Sequence, residues 1–150
     1  NGDTVTVESS DGILSNLRQV DAPDFAPDGL TFPNGFFAFD VEGVPVGGTV
    51  TVEMTLPTGS NPTRYVKCTS SACSEFAGAS IAGDVVTLTL RDGGEGDADG
   101  AADGHIQDPG APAQSASGSD GGGGGGGGAF DWMTLGALAL LALGRRRWGA

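Results

Sequence analysis

Apolar and polar residues alternate with a period of two along much of the first hundred residues. Thr4-Val5-Thr6-Val7 opens the pattern, and Phe37-Ala38-Phe39-Asp40-Val41 continues it. Thr49-Val50-Thr51-Val52-Glu53-Met54-Thr55-Leu56 and Val85-Val86-Thr87-Leu88-Thr89-Leu90 repeat it at greater length. Such alternation turns one face of a strand to a core and the other to water. Between these runs stand turn-forming groups: Pro33-Asn34-Gly35, Val46-Gly47-Gly48, Pro57-Thr58-Gly59 and Ala82-Gly83-Asp84. No stretch before residue 130 carries a 3.6-residue apolar stripe. The pattern predicts about seven short strands and an all-β fold, an antiparallel β-sandwich with an immunoglobulin-like look.

From residue 111 the strand formers give way to Ala, Pro, Ser, Gly and Gln. An unbroken block follows: Gly121, Gly122, Gly123, Gly124, Gly125, Gly126, Gly127 and Gly128. Such a segment cannot bury enough apolar surface to offset its ordering entropy, so it predicts a flexible linker. The sequence then becomes apolar from Ala129 to Gly144 and ends on Arg145, Arg146, Arg147 and Trp148. Those 16 residues would span ~24 Å as a helix, short of the ~30 Å hydrocarbon core of a bilayer. Snorkelling arginines and interfacial Trp132 and Trp148 narrow the gap, and the basic stop predicts a cytoplasmic C-terminus with the body outside. A marginal span beside an exposed glycine chain favours a processed anchor over a permanent one.

Composition sharpens this division. The chain has 150 residues and a net charge of −12, with 19 acids against 7 bases. Arg145, Arg146 and Arg147 are three of those bases, so the remaining body is more acidic still. An acidic body repels phosphate backbones and argues against nucleic acid as a partner. Cys68 and Cys73 are the only cysteines and His105 the only histidine. That excludes a Cys/His structural zinc site and favours a local disulfide in an exported protein. The chain begins at Asn1, without an initiator Met and within what reads as a strand, so we expect the C-terminal part of a longer precursor.

Six carboxylates, Asp92, Glu95, Asp97, Asp99, Asp103 and Asp108, fall close together with no Lys or Arg among them. Glu95, Asp97, Asp99 and Asp103 occupy positions 1, 3, 5 and 9 of a calcium-loop spacing, with Gly100 at position 6 and the Ala101 carbonyl at position 7. Position 12 is Ile106 rather than a bidentate Glu, so the segment is not an EF-hand; Asp108 or Asp92 would complete the shell. The expectation is a Ca²⁺ site formed by Glu95, Asp97, Asp99, Ala101, Asp103 and Asp108, against the plainer reading of a solvated acidic turn.

Catalytic readings find less support. No Gly-x-Ser-x-Gly elbow accompanies His105, and a glycine-loosened acidic loop does not hold two carboxylates at the separation glycoside hydrolysis needs. Asn61-Pro62-Thr63 is excluded as a glycosylation site by its proline. The expectation is a domain that is not an enzyme.

Two resemblances add to this. Gly121–Gly128, the apolar segment and Arg145-Arg146-Arg147 resemble a GlyGly-CTERM sorting signal, from which Asp131 is a slight departure. That resemblance implies cleavage by a rhombosortase, a rhomboid-type intramembrane protease of Gram-negative bacteria. It also implies transfer to a lipid-linked anchor and display at the cell surface after type II secretion. Phe32-Pro33-Asn34-Gly35, Phe39, Val41, Gly47-Gly48-Thr49-Val50-Thr51-Val52 and Leu56-Pro57 resemble the first half of the choice-of-anchor U domain. Tyr65, Lys67, Val86–Leu90, Asp92–Gly100 and Asp108-Pro109-Gly110 resemble its second half, while Cys68, Cys73, Asp103 and His105 depart from it. Together these divide the chain into a β-domain (1–113), a Ser/Gly-rich linker (114–128) and a C-terminal membrane sorting signal (129–150). The functional expectation is a non-catalytic, surface-anchored domain that presents or spaces an upstream module. The alternatives are an adhesion module for glycan or protein, and an accessory domain of a hydrolase whose catalytic part lies before Asn1.

Overall fold

The computed structural model describes residues 4–116. Gly121–Gly128, the apolar segment and Arg145–Arg147 lie outside the described residues, as does the rest of the expected linker from residue 117. Ten strands form two antiparallel sheets, and no helix occurs among the described residues. The smaller sheet has the order β1 (Thr6–Ser9), β5 (Thr49–Thr55), β9 (Val85–Arg91), β8 (Ala79–Ala82). The larger runs β2 (Ile13–Val20), β4 (Phe36–Glu42), β10 (His105–Ser115), β6 (Arg64–Cys68), β7 (Cys73–Glu75), with β3 (Leu30–Thr31) paired to the end of β10. The architecture is all-β and sandwich-like.

The alternation of β5 produces its burial directly: Val50, Val52 and Met54 are buried while Thr49, Thr51, Glu53 and Thr55 are exposed. Val86, Leu88 and Leu90 of β9 join them in one core with Phe37, Phe39 and Val41 of β4 and Ile106 of β10. The outer face of the larger sheet is not simply polar. Phe36, Val66, Cys68, Ala111 and Ala113 form a second, smaller cluster there, covered by Val20, Ala26, Leu30 and Phe32. The segment between β2 and β4 therefore folds back over the sheet, and the Phe32 and Phe36 rings lie 4.5 Å apart.

The shift of composition at residue 111 does not end the domain. Residues 111–115 continue β10, the longest strand, which pairs with β4 over His105–Gly110, with β6 over Gly110–Ala113 and with β3 at Gln114 and Ser115. The prolines that read as linker chemistry sit at handover points. Pro109 lies where β10 is paired to β4 only, and Pro112 where it is paired to β6 only, so each faces one edge with no ladder bond to lose. Ala111 and Ala113 are fully buried, their small side chains fitting beneath the covering segment.

Candidate functional site

The acidic segment joins β9 to β10 and closes one end of the sandwich. Asp92 opens it. The residue is 2% exposed, and its carboxylate accepts N–H bonds from Gly47 (2.7 Å), Gly104 (3.0 Å) and Asp103 (3.3 Å). These bonds, led by that from Gly47, hold its pKa below the usual carboxylate value. One side chain thus ties the β4–β5 turn to the start of β10. Asp97 plays a similar part, accepting from Gly93 (2.9 Å) and Gln107 (3.1 Å). At the opposite turn Asp84 accepts from Asn61 and Gly59 at 2.8 Å, and the Asn61 bond leads the lowering of its pKa.

The expected ligands separate accordingly. Asp99 and Asp103 come together with His105, their donor atoms within 4.8 Å of one another. The imidazole of His105 lies between two carboxylates, with Nδ1 at 3.6 Å from Asp99 and Nε2 at 3.9 Å from Asp40. Asp40 is held in turn by Asn16, a residue at φ 53° beside the register shift in β2, whose amide donates to it at 2.5 Å. Asp97 commits both oxygens to backbone N–H groups, and the Ala101 carbonyl accepts the Asp103 N–H at 3.0 Å. The Glu95 backbone carbonyl accepts from Arg91 at 2.9 Å. Asp108 is buried and is not part of the group formed by Asp99, Asp103 and His105.

Asp108 is fully buried beside Lys67, whose Nζ stands 3.0 Å from Oδ1. Lys67 Nζ also donates to the Gly96 carbonyl and lies 4.9 Å from the centre of the Phe76 ring. The Tyr65 hydroxyl sits beside the same carboxyl without the alignment of a hydrogen bond. Its ring covers Gly110, where a Cβ would approach it to 2.6 Å, so glycine is the residue that fits beneath this aromatic. Desolvation pushes the Lys67 pKa down and the Asp108 pKa up, each opposed by the charge of the other. Cys68 and Cys73, directly opposite in the β6–β7 register with Cα atoms 4.1 Å apart, are joined by a disulfide.

Sequence reasoning singled out Asp108 as a ligand and gave Lys67 no role. The available signal was a lysine at the inward phase of a strand, two residues from Tyr65. His105 and Asp40 were also missed as neighbours of the loop, since Asp40 lies on β4 and reaches His105 only through the β4–β10 pairing. Comparison with protein-family models, curated proteins and solved structures finds no match to this chain.

A pH dependence follows from Asp92. Its folded pKa is depressed, so its contribution to stability is present above the unfolded value of about 3.9 and is lost as pH falls through the folded pKa. Asp92→Asn is expected to be less stable than the parent at neutral pH and to lose less stability on acidification below about pH 4. Urea unfolding at a series of pH values checks this; equal pH slopes for the two proteins would show that Asp92 has no such role.

Proposed function

We propose that this is a non-catalytic, surface-anchored domain of a Gram-negative bacterium, a choice-of-anchor U-like sandwich of the immunoglobulin kind. It presents or spaces a module on its N-terminal side. Its C-terminal segment is a sorting signal of the GlyGly-CTERM type, cut by a rhombosortase-type protease within Gly121–Gly128 and replaced by a lipid-linked anchor. The observation that carries the reading is the order of the tail: a glycine block, a marginal apolar span, then Arg145-Arg146-Arg147. The two-layer antiparallel architecture supports the sandwich assignment.

The fold suits a tether at this end. β10 leads into the tail and lies inside the larger sheet, bonded successively to β4, β6 and β3.

Residues 4–150 fused to the C-terminus of a secreted reporter test the proposal in a host carrying the protease. The reporter should be retained at the cell surface, and deletion of residues 117–150 should release it to the medium. Equal retention of the two fusions would refute anchoring by the tail.

Ca²⁺ is the cation proposed for the acidic loop, with Asp99 and Asp103 as its carboxylate ligands. Calcium takes six to eight oxygens, and water would supply most of them here, so the binding is weak. His105 offers a nitrogen, which suits Zn²⁺ better than Ca²⁺. At free Ca²⁺ about ten times Kd the domain is expected to gain roughly 1.4 kcal/mol, and Asp99→Asn with Asp103→Asn to abolish the gain. Calorimetric melting in millimolar Ca²⁺ checks it; a gain seen with Zn²⁺ alone would remove calcium from the account.

A further inference from the structure

The proposed anchoring leaves the Lys67, Asp108 and Tyr65 group unused, although it is enclosed between the sheets. The Lys67 side chain is 12% exposed and the Asp108 side chain 0%. Both Asp108 oxygens and the Tyr65 hydroxyl lack an aligned hydrogen bond among the described residues. Lys67 lies opposite Gly110 in the β6–β10 register, two positions along β10 from Asp108, so its amine meets the carboxyl diagonally across one face. The Gly96 carbonyl and the Phe76 ring hold the amine in place.

We propose that Lys67 and Asp108 condense to an intramolecular amide that links β6 to β10. Lys67 Nζ attacks Asp108 Cγ, the new C–N bond replaces one C–O bond, and the departing oxygen leaves as water with one proton from the amine and one from the carboxyl group. No oxidant or co-reactant is consumed. Three physical terms favour the step. The reacting groups are held 3.0 Å apart, so the reaction is effectively unimolecular. Burial favours the free amine and the carboxylic acid over their charged forms, and those are the forms that condense. The product is neutral and cannot ionise, so it suits a site whose burial disfavours charge.

The proposal stands independently of the anchoring reading, though a covalent tie to β10 would strengthen the strand nearest the tail. Intact-mass measurement of the reduced and alkylated full chain tests it. The parent is expected to be lighter than its sequence by the mass of one water. Fragmentation is expected to give a branched peptide joining Lys67 to Asp108, uncut by trypsin after Lys67. Lys67→Arg is expected to show its full sequence mass. Asp108→Asn, which would lose ammonia instead, is expected to converge on the product mass of the parent. Full sequence mass for the folded parent would overturn the proposal, as would an equal water loss in Lys67→Arg.

Discussion

Lys67→Met is expected to cost the domain about 3–5 kcal/mol. Methionine fills much of the same space, so the loss is not one of volume. The substitution leaves the fully buried Asp108 facing an apolar side chain and removes the bond to the Gly96 carbonyl and the contact with Phe76. A carboxyl group stranded in this way must be held protonated or draw water into the sandwich. Pairing Lys67→Met with Asp108→Leu takes the stranded group away, and the double variant is expected to be more stable than Lys67→Met alone. Urea unfolding of the three proteins checks this order. A double variant weaker than the single one would show that Asp108 does not depend on Lys67.

A loss of similar size, about 3–5 kcal/mol, is expected from Phe39→Ala. Phe39 is 1% exposed, in the strand that pairs with both β2 and β10, and it points between the sheets with Val41 and Ile106. Removing the ring takes apolar area from the core and leaves a cavity that strands fixed on both edges close poorly. Thermal unfolding by circular dichroism reads the loss. The conservative Phe39→Leu should recover most of it, whereas equal losses for Ala and Leu would point to a requirement for the aromatic ring itself.

The strands legible in the sequence are those where one face is apolar throughout. β5 and β9 follow period two along their length, and Phe37, Phe39 and Val41 mark β4 equally well. β2 was not legible: its register shifts between Ser15 and Arg18 around the left-handed Asn16, which breaks the alternation of an edge strand. β10 was hidden for another reason. Asp108, Pro109, Gly110 and Pro112 are turn formers in isolation, and only the surrounding strands make them a strand. Gly110 is extended because it pairs with both β4 and β6, and it is glycine because Tyr65 lies over it; the buried Ala111 and Ala113 carry too little apolar area to signal a core position.

The acidic segment shows the same limit. Its charges were plain, but six carboxylates of one type gave no sign of which would be committed. Asp92 is distinguished by donors that include Gly47, 45 residues away in the chain, and Asp108 by a lysine on a neighbouring strand. Asp99 and Asp103 keep the closeness that the loop spacing suggested, and they share it with His105.

The fate of the tail is tested most directly at the mature C-terminus. Mass spectrometry of the protein recovered from the cell surface should find a chain ending within Gly121–Gly128 and carrying an added anchor. Recovery of intact Arg145–Ala150 in that protein would contradict processing and leave a simple membrane anchor in its place.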